Sequence, residues 1–132
     1  QRTINKVGLF GSNSGRINNV GLVDSNVQGN AEVGGLVGYL VIGGKISNSF
    51  VRGGSIHASG TGPTDDSAVG GLVGYSDGHV DSSYVTGGTV NAGNVSGNYS
   101  AIGGLIGVNF GTTTTNGSNF GVISNSFVSG TT

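Results

Sequence analysis

Val33-Gly34-Gly35-Leu36-Val37-Gly38 decides how this chain is read, because it returns as Val69-Gly70-Gly71-Leu72-Val73-Gly74 and again as Ile102-Gly103-Gly104-Leu105-Ile106-Gly107. A worn copy, Lys6-Val7-Gly8-Leu9-Phe10-Gly11, lies upstream with one glycine of the pair missing. Four units therefore fill the 132 residues. Their leucines stand 27, 36 and 33 residues apart, so differences in length are absorbed outside the repeated stretch. A unit of this size cannot bury its own apolar face, and stacking on its neighbours supplies the missing core.

Each unit carries a second block: Ile17-Asn18-Asn19, Ile46-Ser47-Asn48-Ser49-Phe50-Val51, Val80-Asp81-Ser82-Ser83-Tyr84-Val85 and Ile123-Ser124-Asn125-Ser126-Phe127-Val128. Ten residues after the leading aliphatic comes a third apolar position, at Val27, Ile56 and Val90. That constant offset fixes the length of the segments between them. Helix is untenable, since glycine costs about 1 kcal/mol per interior helical position and no window of a dozen residues avoids it. Short runs of Val, Ile, Phe, Tyr and Thr punctuated by Gly, Asn and Ser read as β structure.

The expected fold is all-β: a short right-handed parallel β-solenoid (β-helix) of about four coils, three short strands to a coil, stacked at about 4.8 Å. One domain spans 1–132, with units at roughly 4–31, 32–68, 69–101 and 102–132. Protruding loops are expected at 57–68, which holds the one proline, at 91–101 and at 109–121. Leu36, Leu72 and Leu105 should form one buried stack, and Ile46, Val80 and Ile123 another. The glycine pairs are expected to permit tight corners and positive φ beside the inward leucine. Asn48 and Asn125 should take left-handed corners or form amide ladders.

Composition narrows the function. Twenty-nine glycines with 34% hydrophobic residues in register argue for order, not a linker. With 8% charged residues and a net charge of −1 there is no electrostatic footprint for nucleic acid or an anionic membrane. No apolar run is long enough to cross a bilayer, so membrane insertion is not expected. Cysteine is absent, so no disulfide framework exists. The N-terminus lacks a signal-peptide pattern and starts at Gln1, which favours a processed or excised chain.

Gly-Gly-Leu-Val-Gly followed by Ile-Ser-Asn-Ser-Phe-Val closely resembles the GLUG repeat of bacterial surface proteins, including large adhesins and the repeat regions of IgA-protease-type proteins. The resemblance is strongest at 33–54, 69–88 and 102–107 with 123–130, and weakest at 6–29, where Gly8 stands alone. It implies a rigid, exposed stalk or binding segment and carries over no catalytic residue.

The chemistry-bearing residues support the same expectation. His57 and His79 lack zinc-site spacing. Asp65-Asp66 with Asp77 and Asp81 would offer oxygens to Ca²⁺, but no calcium-loop pattern accompanies them, and the plainer reading is a solvated turn. A glycosidase needs two carboxylates flanking a cleft, and Asp24 and Glu32 are set apart in sequence from the group Asp65, Asp66, Asp77 and Asp81. No enzyme, cofactor or metal site is expected. Asn94, Asn98 and Asn116 begin Asn-x-Ser triplets inside expected loops and are candidate glycosylation sites. Threonines fail to recur at one position, Thr86 aligning with Arg52 and Ser129, so an ice-binding lattice is not indicated.

The expected role is structural: a secreted, extracellular building block of a filament, fibre or adhesin stalk, with itself as head-to-tail partner. A third apolar position in the last unit would fall just past Thr132, and Gln1 to Asn5 form a leftover strand. The expected assembly contact therefore joins Thr3 and Ile4 of one copy to Phe127 and Val128 of the next. The alternative is an adhesin module binding cell-surface glycans or proteins through the loops 57–68, 91–101 and 109–121.

Overall fold

The structure, a computed structural model, describes residues 6–59, 67–93, 100–111 and 121–132. These hold nineteen strands and no helix. The first coil comprises β1 (Lys6–Val7), β2 (Phe10–Asn13), β3 (Arg16–Asn18), β4 (Gly21–Val23) and β5 (Asn26–Gly29). The second has β6 (Glu32–Gly34), β7 (Val37–Leu40), β8 (Lys45–Ser47), β9 (Phe50–Arg52) and β10 (Ser55–Ala58). The third has β11 (Ser67–Gly70), β12 (Val73–Ser76), β13 (His79–Asp81), β14 (Tyr84–Thr86) and β15 (Thr89–Ala92). The fourth has β16 (Ser100–Gly103), β17 (Ile106–Asn109), β18 (Val122–Ser124) and β19 (Phe127–Ser129).

Corresponding strands pair in parallel from coil to coil. This makes five sheets running along the stack: sheet 1 (β1-β6-β11-β16), sheet 2 (β2-β7-β12-β17), sheet 3 (β3-β8-β13-β18), sheet 4 (β4-β9-β14-β19) and sheet 5 (β5-β10-β15). The fold is the parallel β-solenoid read from the repeat. Each of the first three coils, however, has five strands where three were expected, because the segments on either side of the second motif glycine with its leucine, and of Asn-Ser, each pair separately. The expected loops are also shorter than drawn. His57 and Ala58 belong to β10, Ser67 and Ala68 to β11, Asn91 and Ala92 to β15, and Ser100 and Ala101 to β16.

Two cores result. Leu36, Val37, Leu40, Ile46, Val51, Leu72, Val73, Val80 and Val85 are buried together among sheets 2, 3 and 4, with Leu105 partly buried against them. Both expected stacks lie here, although Ile123 on the outermost coil is 42% exposed. The third apolar position opens a separate core: Ile56 pairs with Val27 and Val90 and packs with Val33, Ala58 and Val69 between sheets 5 and 1.

Sheet 1 thus has sheet 5 on one face and sheet 2 on the other, and glycine permits the second contact. A Cβ on Gly74 would stand 2.7 Å from the Val33 nitrogen and 2.9 Å from the Ala68 oxygen, both in sheet 1. One on Gly38 would stand 2.8 Å from the Glu32 oxygen. The expectation of positive φ at the motif glycines is corrected: none of Gly34, Gly35, Gly70, Gly71, Gly103 and Gly104 has it. They are required by close approach. The second glycine of each pair faces a valine of the other block, with Cβ positions 2.8, 2.8 and 2.9 Å from methyls of Val51, Val85 and Val128, so the two halves of the repeat are one packing unit. Positive φ instead falls at Gly53-Gly54 and Gly87-Gly88, which turn sheet 4 into sheet 5.

The second block is equally explicit. Asn48 and Asn125 are left-handed, at φ 50° and 48°, in one column with Asn19 and Ser82. Their side chains reach the preceding coil: Asn48 Nδ2 donates to Asn18 Oδ1 at 3.1 Å and Asn125 Nδ2 to Asp81 Oδ1 at 2.9 Å. The following serines form a ladder. Ser83 Oγ accepts from the Ser49 N–H at 3.2 Å and donates to the Asp81 carbonyl at 2.8 Å, and Ser126 Oγ repeats both contacts one coil on. Each serine thereby satisfies backbone groups that the corner would leave unpaired. Phe50, Tyr84 and Phe127 then stack outward with centroids 5.2 Å apart.

Candidate functional site

The close contact of sheets 1 and 2 brings together residues that the chain order separates. Lys6 and Glu32 are paired neighbours in sheet 1, while Tyr39 and Tyr75 are paired neighbours in sheet 2. Tyr39 donates its hydroxyl proton to Asp77 Oδ2 at 2.5 Å. The Lys6 ammonium stands 4.7 Å from the Tyr39 ring centroid. The rings of Tyr39 and Tyr75 lie 5.3 Å apart, and Phe110 extends the row at 6.3 Å.

Asp77 is 7% exposed, and its Oδ1, like Glu32 Oε2, is buried with no hydrogen-bond partner. Burial pushes the Glu32 carboxyl up; Lys6 opposes this and the Asp77 charge adds to it. The hydrogen bond to Asp77, together with burial, pushes the Tyr39 hydroxyl up to about 12. Burial also raises Tyr75. Two expectations are corrected. Asp77 is a buried tie between coils and not part of a solvated turn, and Glu32 shares its surroundings although it belongs to another unit. The signal available in sequence was positional: Glu32 lies two residues before the first motif glycine and Tyr39 one residue after the last.

Chemically, the seam can hold a proton, accept a hydrogen bond and anchor one coil to the next. Asp77 is too buried to meet a substrate. Among the described residues no three of His, Cys, Asp and Glu gather as a metal would require. Tyr39→Phe strips Asp77 of its described partner and should cost about 1–3 kcal/mol, read as a lower urea midpoint.

The pH dependence follows from the sign of the Glu32 shift. Its folded carboxyl titrates above the ordinary 4.5, so the fold binds a proton before the unfolded chain does. Stability from this group rises as pH falls from neutral toward that value and is flat below it. Glu32→Gln should remove the rise and stabilise the chain at neutral pH by on the order of 1 kcal/mol, measured by melting across pH.

Asp81 lies at the surface in sheet 3. It accepts from Ser124 Oγ at 2.7 Å, Asn125 Nδ2 at 2.9 Å and Ser82 Oγ at 3.0 Å, and these bonds hold its carboxyl below the ordinary 3.8. The tie between coils three and four is therefore intact above that value and lost as pH falls through the lowered one. Amide exchange in β18 and β19 should speed up in acid, and Asp81→Asn should blunt the effect.

Of the other candidate residues, Phe127 and Val128 lie in β19 at 55% and 41% exposure. Thr3, Ile4, Asp65, Asp66, Asn94, Asn98 and Asn116 lie outside the described residues. His57 is on β10 and His79 on β13. Thr86 pairs with Arg52 and Ser129, as the alignment of units required.

Coils of four or five described strands paired in parallel, tied by glycine contacts and serine ladders, make this a β-solenoid repeat domain. The family description of the GLUG motif matches residues 65–91, which take in the third coil. The third coil therefore carries a GLUG motif, and the flanking coils pair with it in register. No curated protein and no solved structure matches it.

Proposed function

We propose that the chain is a rigid structural segment of an extracellular surface protein, a stalk or fibre in which solenoid coils continue head to tail. The observation that carries this reading is that the apolar columns run through the stack to its outermost rungs. Val51 and Val85, 3% and 2% exposed, continue to Val128 at 41%; Ile46 and Val80, 0% and 1% exposed, continue to Ile123 at 42%. The first coil likewise presents Leu9 and Phe10 at 53% and 40%, beside a hollow of about 280 Å³ lined by Val7, Leu22 and Val27 among others.

Both faces suit a further coil, supplied by the same polypeptide or by a neighbouring copy, since unpaired strand edges and apolar surface drive such stacking. No catalytic step belongs to this reading. Negative-stain microscopy and small-angle scattering of the purified chain test it. Rods that lengthen with concentration and vanish in Val128→Asp support it, and a compact monomer at every concentration removes self-assembly. Labelling of intact source cells with an impermeant reagent must reach the protein if it lies at the surface.

A further inference from the structure

The two ends of the stack match each other in one register. Val7, Val33, Val69 and Ile102 are successive partners in sheet 1. Val33 and Val69 are fully buried, whereas Ile102, on the last coil, is 55% exposed. At the opposite end Val7 helps to line the hollow that opens beside Leu22 and Val27. Three further apolar columns run the same course. Phe10 heads one that ends at Ile106, Ile17 one that ends at Ile123, and Leu22 one that ends at Val128. The corner carries a polar match as well. From left-handed corners Asn48 and Asn125 each donate to the coil before their own, at Asn18 and Asp81. Asn19 has the same corner in the first coil, at φ 59°, and the column of Asn18 and Asp81 ends at Ser124.

We propose that coil four of one chain docks against coil one of a second copy with each of these sheets continuing in its own column: β16 against β1, β17 against β2, β18 against β3 and β19 against β4. Ile102 then enters the hollow at Val7 of the second copy, and Asn19 of that copy donates to Ser124. The occupant is a second copy because this contact repeats the coil-to-coil interface that the chain already makes three times internally. A foreign apolar segment would match neither the four column ends nor the corner. The inference rests on the head-to-tail reading and adds its partner and its register. Such a contact joins two different faces, so it does not close and further copies add to either end.

The chain has no cysteine, so an introduced pair reports this register alone. Parallel neighbours in adjacent coils stand about 4.8 Å apart, within the span of a disulfide. Inside one chain Val7 and Ile102 are three coils apart, about 14 Å, and cannot be bridged. The chain carrying Val7→Cys with Ile102→Cys, mildly oxidised, should therefore give dimers, trimers and longer species on a non-reducing gel, all released by reductant. Mixing the two single variants should give dimers and nothing larger. Ile102→Asp, at a position exposed in the free chain, should leave melting of the dilute chain unchanged and raise the concentration at which rods appear about tenfold or more. Rods that form without any cross-linked ladder overturn this register and leave head-to-tail stacking standing. A dimer from Ile102→Cys alone overturns it too, because that contact joins two fourth coils. An unchanged rod threshold in Ile102→Asp overturns it whether or not the double-cysteine chain folds. Absence of both rods and ladder at every concentration removes self-assembly along with it.

Discussion

Leu72→Asp should abolish the folded state. Leu72 is fully buried at the centre of the stack: its N–H donates to the Leu105 carbonyl at 2.8 Å, and its own carbonyl accepts from Leu36 at 3.0 Å. Removing the leucine forfeits about 1.5–3 kcal/mol of apolar burial, and an unpaired carboxylate between coils adds several more. Together these approach the whole stability of a domain, about 5–15 kcal/mol. Circular dichroism should lose its β signal. The graded version is Leu72→Ala, at about 2–5 kcal/mol, with Leu105→Ala costing less because Leu105 is only partly buried. Normal melting of Leu72→Asp would mean that this leucine does not sit in the stack.

Gly74→Ala should be nearly as damaging, although it adds a single carbon. Its Cβ would meet the Val33 nitrogen at 2.7 Å, the Gly38 oxygen at 2.8 Å and the Ala68 oxygen at 2.9 Å. All three are backbone, Val33 and Ala68 in sheet 1 and Gly38 in the neighbouring strand of sheet 2, so relief requires both contacts to open. Overpacking a core costs about 1–3 kcal/mol and at times more, and the absence of any side chain able to yield puts this site at the upper end. Two other glycines separate crowding from conformation. At Gly15 the nearest atom is Asn13 Oδ1 at 3.7 Å, and alanine there should be neutral or stabilise by about 0.4–1 kcal/mol. Gly43 has open space but φ of 87°, so alanine there should cost about 1–2 kcal/mol from strain alone. Equal melting of Gly74→Ala and Gly15→Ala would remove the close sheet contact from the account.

The repeat made the architecture legible because the main buried columns are motif positions: Leu36 recurs as Leu72, Ile46 as Val80, Ile56 as Val90. The left-handed asparagines were legible for the same reason. Strand number was not, because β6 and β7 are separated by only Gly35 and Leu36, a gap that in sequence resembles one continuous segment. Nor was the role of the glycines. Sequence shows where a Cβ is missing, but only the packed sheets show what it would strike. The seam shares that obstacle. Glu32, Tyr39 and Asp77 meet because glycine contacts such as those at Gly38 and Gly74 bring sheet 1 onto sheet 2.

Nuclear Overhauser contacts measure the register of coil on coil directly. With uniformly labelled chain, the methyls of Val51 should show contacts to those of Val85, and Val85 to Val128, with short amide-to-α distances of parallel pairing along β9, β14 and β19. Strong α-to-α contacts between these strands, the mark of antiparallel pairing, or valine contacts in any other register, would contradict the solenoid described for this chain.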